Sequence, residues 1–137
     1  MGRMLIEAIR ASEHCVLAGA LDVASSPAIG TDATAFLGHA SGVQITSNVH
    51  AGLKNVDVLI DFTRPEGTMN HLAVCEVLGV ELVIGTSGLN AEQKARIQDA
   101  AKKIGIVFAP NMSVGVNVAL KLLQEAAKAM DSGYDIE

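Results

Sequence analysis

The chain has 137 residues, of which half are hydrophobic and 18% are charged, and its formal net charge is -5. This length suits one domain or a part of one, and the high apolar content excludes disorder as the main state. The basic residues do not cluster and only 3% of the residues are aromatic, so we expect no nucleic-acid partner. No apolar run approaches the roughly 20 residues that a membrane-spanning helix needs, so we expect no membrane partner and a cytoplasmic location.

The cysteines and histidines do not indicate a metal site or a disulfide. Cys15 and Cys75 lie in apolar segments far apart in the sequence, which predicts two reduced core residues. No histidine has a second histidine, a cysteine or a carboxylate at the spacing of metal ligands, so a surface or core role is the favoured interpretation for each. We therefore predict neither a metal ligand nor a catalytic residue. The four histidines are His14, His39, His50 and His71.

The first part of the chain is predicted to hold one helix and two short strands. Apolar residues at helical spacing predict a helix over residues 2–12, with no strand before it. The run CVLAGA at residues 15–20 predicts a buried strand. A connection rich in Ser, Pro and Gly follows, with a helical turn at residues 33–37 and a short strand at residues 43–46.

The middle of the chain shows a strand followed by a helix. Residues 56–61 (VDVLID) predict a strand, and Thr63 and Glu66 directly after it have the spacing of a capping box. The helix that they would open is predicted to run to Leu78 and to stop at Gly79.

Strands and helices continue to alternate toward the end of the chain. Residues 81–84 predict a strand, and Asn90 together with Gln93 predicts the opening of a helix that ends in the lysines at 102 and 103. Residues 106–109 predict the next strand. Ser113 is predicted to start a long helix, and residues 134–137 to open another strand. Apolar residues recur every three or four positions in the long helix: Val116, Leu120, Leu123, Ala127 and Met130.

This alternation predicts an α/β fold with a doubly wound parallel sheet of Rossmann-like type. In such sheets ligands bind at the carboxyl ends of the strands. Asp22 stands where a dinucleotide-binding fold places its acidic ribose ligand, although a solvated loop carboxylate is an equally good interpretation. Arg64 near a helix start would suit a nearby anion. Asn111 is expected to be shielded from water and to bond either to backbone or to a ligand amide.

Three segments carry distinctive motifs: VLIDFTRPEGTMNHL at residues 58–72, VIGTSGL at 83–89 and VFAPNMSVGVNVALKLL at 107–123. Together they resemble the nucleotide-binding domain of bacterial dihydrodipicolinate reductases, also called 4-hydroxy-tetrahydrodipicolinate reductases. The similarity covers nearly the whole chain and is weakest over residues 24–55. Chance agreement with so specific a set of motifs is remote.

The resemblance implies which residues contact a nicotinamide dinucleotide. Met1 and Gly2 match the last two positions of the family's glycine loop, and Asp22 matches its acidic ribose ligand. The strand-end segments match those that line the nicotinamide groove. The residues expected to bind the cofactor are therefore Met1, Asp22, Phe62, Thr63, Arg64, Gly85, Thr86, Ser87, Ala109, Pro110, Asn111 and Met112.

The resemblance also implies an oxidoreductase of lysine and diaminopimelate biosynthesis. Family members reduce 4-hydroxy-tetrahydrodipicolinate, a small cyclic dicarboxylate, to tetrahydrodipicolinate by hydride transfer from NADH or NADPH, and they form homotetramers. Some members place an Arg for the 2′-phosphate of NADP after the acidic ribose ligand, whereas Val23 follows Asp22 here. We therefore expect both cofactors to be accepted and NADH to be preferred.

Some of the family's pattern has no counterpart in this chain. The first strand and most of the glycine loop are missing, as is the substrate domain with the His-His-x-x-Lys run that supplies the proton donor. We expect residues 1–130 to form a partial dinucleotide-binding domain, residues 131–137 to begin a truncated substrate domain, and the chain alone to be an inactive fragment. The alternative from a different functional class is a nonenzymatic NAD-binding sensor of Rossmann type.

Overall fold

The structure is a computed structural model that describes residues 1–130. The five helices in this range are α1 (Gly2–Ala11), α2 (Val49–Gly52), α3 (Pro65–Leu78), α4 (Ala91–Ala100) and α5 (Val114–Ala129), and a short 3-10 helix covers Ala35–Leu37. The strands in the same range are β1 (Ala20–Leu21), β2 (Ile45–Thr46), β3 (Val58–Asp61), β4 (Glu81–Ile84) and β5 (Ile106–Phe108). The strand predicted at 134–137 lies outside the described residues.

The strands pair in parallel, which confirms the predicted α/β class. β1 pairs with β2, and β3, β4 and β5 form a second sheet in that order. Asp61 is level with Ile84, and Ile84 is level with Phe108. The three strands of the second sheet therefore end together, and the residues that follow them meet at one edge of the sheet.

The prediction of a strand over residues 15–20 is wrong for most of its length. Only Ala20 and Leu21 pair as a strand, because a ladder needs a neighbouring strand and β2 offers two residues. Cys15 is exposed, so its prediction as a core residue is also wrong, whereas Cys75 is buried as expected. Burial raises the pKa of the Cys75 thiol to about 11.

The capping box predicted for α3 is wrong, although the helix itself is confirmed. Arg64, and not Thr63, is the N-cap residue, and no side chain caps the helix. The Thr63 amide, which a capping box would pair with the Glu66 side chain, donates instead to the side chains of Asp61 and Thr86. The helix begins instead at Pro65, whose ring presets the first-turn backbone angle. It ends at Gly79, which has the left-handed φ of 72° that favours glycine.

The opening predicted for α4 is confirmed in detail. Asn90 Oδ1 accepts from the Gln93 amide at 2.8 Å, and Gln93 Oε1 accepts from the Asn90 amide at 2.9 Å. This reciprocal pair satisfies two amides that the first turn leaves free. The helix ends at Ala100, two residues before the lysines at 102 and 103 that were predicted to lie within it.

The core lies between the second sheet and the helices α3 and α4. Leu82 and Ile84 of β4 are buried against Leu72 and Cys75 of α3 and Ile97 of α4. In contrast, every residue of α5 is exposed, including the regularly spaced Val116, Leu120 and Leu123. Among residues 1–130, no helix has both the length and the hydrophobicity needed to cross a bilayer.

Candidate functional site

A groove of about 460 Å³ opens at the carboxyl ends of β3, β4 and β5. Segments that are distant in sequence meet there because the parallel strands end level with one another. Its walls combine apolar side chains with amide and hydroxyl groups. The lining residues are Met1, Phe62, Gly85, Ser87, Pro110, Asn111, Met112 and Ser113.

Phe62 and Gly85 form a tightly packed part of this groove. Phe62 follows β3 and Gly85 follows β4, and a Cβ atom added at Gly85 would overlap the ring of Phe62. The backbone of Gly85 also donates to the carbonyl of Asp61 at 2.9 Å. Only glycine therefore lets the aromatic ring lie directly against the neighbouring strand end.

A buried carboxylate stands behind the groove at the end of β3. Asp61 is 1% exposed, and its Oδ2 lies 3.1 Å from His71 Nδ1 on α3. Burial works to raise the pKa of the Asp61 carboxyl, but hydrogen bonds from His71 and Thr63 outweigh burial and lower this pKa below its ordinary value. The carboxylate is thus a fixed, hydrogen-bonded negative charge in the wall of the site.

Asn111 does not occupy the shielded position that was predicted for it. It is exposed, and its Oδ1 accepts from the Ser113 amide at 2.8 Å. Ser113 in turn caps α5 by accepting from the Val116 amide. The prediction failed because α5 is exposed along its length, so the preceding turn stays open to solvent. The backbone is the partner of the Asn111 oxygen in this structure.

The groove brings together seven of the twelve residues predicted to bind the cofactor. Thr86 is buried behind the groove, where its hydroxyl accepts from the Thr63 amide at 3.1 Å. Ala109 prolongs the last strand by donating its amide to Ile84 O at 3.2 Å. The seven lining residues are Met1, Phe62, Gly85, Ser87, Pro110, Asn111 and Met112.

Asp22 and Arg64 are not among the groove-lining residues. Asp22 is exposed after β1, where its amide donates to Thr46 O and its Oδ1 accepts from the Val23 amide. Arg64 is exposed at the start of α3. The cofactor contacts predicted for both residues stay predictions.

Sequence reasoning missed the pairing of His71 with Asp61 and the place of Ser113 in the groove wall. Asp61 ends an otherwise apolar strand, and a carboxylate at such a position needs a partner when it is buried. That signal marks Asp61 but does not select His71. Among residues 1–130, no three His, Cys, Asp or Glu side chains are grouped closely enough to hold a metal ion.

The parallel strands, the connecting helices and the groove at the strand ends define a Rossmann-like α/β domain. A family model described as "Dihydrodipicolinate reductase, N-terminus" matches residues 1–112. The chain therefore belongs to the dihydrodipicolinate reductase family, which confirms the resemblance seen in its motifs.

Curated relatives agree with this assignment. Proteins named 4-hydroxy-tetrahydrodipicolinate reductase are 59% identical in Herminiimonas arsenicoxydans, 60% identical in Cupriavidus pinatubonensis and 59% identical in Burkholderia ambifaria, in each case over all 137 residues of this chain. The aligned regions cover 51%, 52% and 52% of those relatives. The chain thus spans about half the length of the curated relatives it matches.

Proposed function

We propose that the groove binds the nicotinamide end of NADH or NADPH, and that the whole protein reduces 4-hydroxy-tetrahydrodipicolinate to tetrahydrodipicolinate. When bound, the dinucleotide supplies the hydride. The observation that carries the proposal is the meeting of seven predicted contact residues, from four separate segments, in one groove. The family membership and the names of the relatives support the same reaction.

The groove has features that suit a flat, partly polar ring. The Phe62 ring packed on Gly85 offers an aromatic surface, and Pro110 and Met112 add apolar walls. The hydroxyls of Ser87 and Ser113 can exchange hydrogen bonds with a carboxamide. These groups would orient the cofactor and exclude water from one side of it.

The start of α1 suits the anionic part of a dinucleotide. Met1 lines the groove and is the N-cap of α1, whose first amides have no side-chain cap. Free amides at a helix N-terminus attract phosphate groups. Arg64 at the start of α3 is exposed, and its guanidinium could reach a phosphate of the same molecule. We infer that the pyrophosphate lies toward these helix ends and the adenosine ribose toward Asp22.

Gly85→Ala tests the proposed groove. The added methyl group would push Phe62 out of its position, and we expect NADH to bind at least about tenfold more weakly, as a loss of about 1.4 kcal/mol would produce. NADH fluorescence titration measures this, and thermal unfolding verifies that the variant is folded. Gly115→Ala is the matched control because a Cβ there meets only ordinary contact. Failure of the parent chain to bind NADH would refute the proposal.

The groove residues position the cofactor and do not transfer protons. Within the described part of the chain, the side chains that line the groove include no carboxylate, imidazole or amine. The reduction needs a general acid to protonate the product, so we expect the 137-residue chain alone to bind NADH without turning over. The same feature suits a nonenzymatic NAD sensor. NADH oxidation by the purified chain with substrate would contradict the expected inactivity.

We further propose that NADH is preferred to NADPH. Asp22 would lie beside the 2′-phosphate of NADPH, and the next residue, Val23, is 66% exposed and uncharged. Two negative charges about 4 Å apart repel by about 1 to 4 kcal/mol. Val23→Arg should therefore tighten NADPH binding about fivefold or more while leaving NADH binding nearly unchanged. Equal affinities of the parent chain for both cofactors would contradict the preference.

A further inference from the structure

A hydrogen-bond network built around two buried hydroxyl groups joins the two strand-end turns to each other and to α3 behind the groove. The Oγ1 atom of Thr86 accepts from the Thr63 amide at 3.1 Å and from Thr68 Oγ1 at 2.8 Å. Thr68 lies on α3 and is fully buried, and Thr86 is 2% exposed. Because a hydroxyl oxygen has two lone pairs, both acceptor positions of Thr86 are in use.

Asp61 anchors the same turns from the other side. Its Oδ1 accepts from the Thr63 amide at 2.9 Å, and its backbone carbonyl accepts from the Gly85 amide at 2.9 Å. The contact of its Oδ2 with His71 ties this point to α3. The turn after β3 is thus held both to the turn after β4 and to the helix behind them.

The groove residues are the immediate neighbours of this network. Phe62 stands between Asp61 and Thr63, and Gly85 and Ser87 stand on either side of Thr86. A change of a few tenths of an ångström between the turns would alter the contact of Phe62 with Gly85, which has no spare space. The buried threonines therefore determine the spacing between the two turns, and this spacing sets the positions of the groove residues Phe62, Gly85 and Ser87.

We propose that Thr68 and Thr86 are positioning residues for the dinucleotide: the Thr86 hydroxyl, held by Thr68 on α3, accepts from the Thr63 amide and so fixes the spacing of the two turns and the shape of the nicotinamide slot. This inference rests on the proposed function of the groove. Neither residue touches the groove in the described structure, since Thr86 lies behind its wall and Thr68 on the helix beyond. They act through Phe62, Gly85 and Ser87.

A positioning role can be separated from a stabilising one. Valine has the shape of threonine without its hydroxyl, and replacing both partners of a buried hydrogen bond by apolar groups of the same shape can leave stability nearly unchanged. The Thr63 amide would keep its bond to Asp61 Oδ1 in the double variant Thr68→Val/Thr86→Val. Such a protein should stay folded while the link between the turns is lost.

The test measures NADH affinity and backbone hydrogen exchange on the same variants. We expect Thr68→Val/Thr86→Val to bind NADH about tenfold more weakly and its Thr63 amide to exchange about tenfold faster, as loss of one or two hydrogen bonds would produce. Thr86→Ser keeps the hydroxyl and should restore both values to within about threefold. Thermal unfolding should give the same midpoint for all three proteins.

The outcomes distinguish this inference from the proposed function. Parent-like NADH affinity and exchange in the double variant would overturn the positioning role, as would an equal loss in Thr86→Ser. If the parent chain does not bind NADH, the proposed function fails, and exchange at Thr63 still decides whether the hydroxyl pair holds the turns together.

Discussion

The two sheets of this domain differ in the interactions that stabilise each of them. The β3–β4–β5 sheet packs on a continuous apolar cluster whose members all lie between Leu53 and Ile104. The β1–β2 pair has two residues in each strand, all of them half-buried, and only Leu21 of these packs against the edge of the cluster. Its neighbouring loop depends on Asp32, whose carboxylate accepts from the amides of Thr34, Ser41 and Gly42 and from two hydroxyls.

Stability and adaptability reside in different parts of the domain. Apolar burial contributes most of the free energy of folding, so the sheet that supports the groove is expected to be the stable unit. The loop around Asp32 contributes no residue to the apolar cluster, so we expect it to open at lower cost. The proposed nicotinamide end of the cofactor lies on the stable unit, and Asp22 lies beside the adaptable one.

Leu82→Ala should produce the largest loss of stability. Leu82 is 1% exposed in the central strand of the larger sheet, and a cavity at such a site costs about 2 to 5 kcal/mol. Denaturant unfolding measures this difference. Leu21→Ala in the half-buried β1 should cost clearly less. Leu122→Ala, at 65% exposure, should change the free energy of unfolding by no more than about 0.5 kcal/mol. Equal losses in the free energy of unfolding for Leu82→Ala and Leu21→Ala would show that the two sheets do not differ in stability.

Asp32→Asn should loosen the loop without unfolding the larger sheet. Hydrogen bonds from the Ser41 and Thr34 amides hold the pKa of the Asp32 carboxyl well below its ordinary value of 3.8. Because these hydrogen bonds favour the ionised carboxylate, they stabilise the folded loop at every pH above 3.8. This contribution to stability is lost progressively as the pH falls below that value toward the lowered pKa.

Hydrogen exchange at the Ser41 and Gly42 amides measures the effect. Near neutral pH we expect exchange about tenfold faster in Asp32→Asn, because a charge-assisted hydrogen bond is about twice as strong as a neutral one. As the pH falls below about 4, the difference in exchange rate between the parent chain and Asp32→Asn should shrink, because the Asp32 carboxylate becomes protonated. Asp57→Asn is the control, since Asp57 is an exposed carboxylate outside this loop. Unchanged exchange in Asp32→Asn would show that the carboxylate does not hold the loop.

Arg96→Ala should destabilise the protein far less than Leu82→Ala, although it removes an ion pair between α3 and α4. Glu76 contacts both Arg96 and Lys103, so one cation remains after the substitution. The Glu76 side chain is 7% exposed but the Arg96 side chain is 45% exposed. Because water and salt reach the cation and Lys103 stays beside the carboxylate, we expect a loss of about 1 kcal/mol or less. Unfolding in low and high salt measures the change against Lys94→Ala on the same helix. A loss of more than about 2 kcal/mol in the free energy of unfolding would show that this ion pair, and not only the apolar cluster, contributes much of the stability.

Local signals predicted the elements of the larger sheet well. The strand at residues 81–84, the Gly79 helix end and the Asn90–Gln93 capping box each depend on residues a few positions apart, and all are confirmed. The groove could be placed in advance because parallel strands bring their carboxyl ends to one edge. The strand at 15–20 failed because its formation depends on a distant neighbour and not on its own composition.

Periodicity and turn chemistry act over short distances, so the residues alone predict the alternation of strands and helices, the family and the segments that meet at the strand ends. Which polar groups meet depends on the packed fold. The pairing of Asp61 with His71, and of Thr68 with Thr86, joins residues 10 and 18 positions apart, and a hydrogen bond between such residues exists only after β3, β4 and α3 have packed against one another.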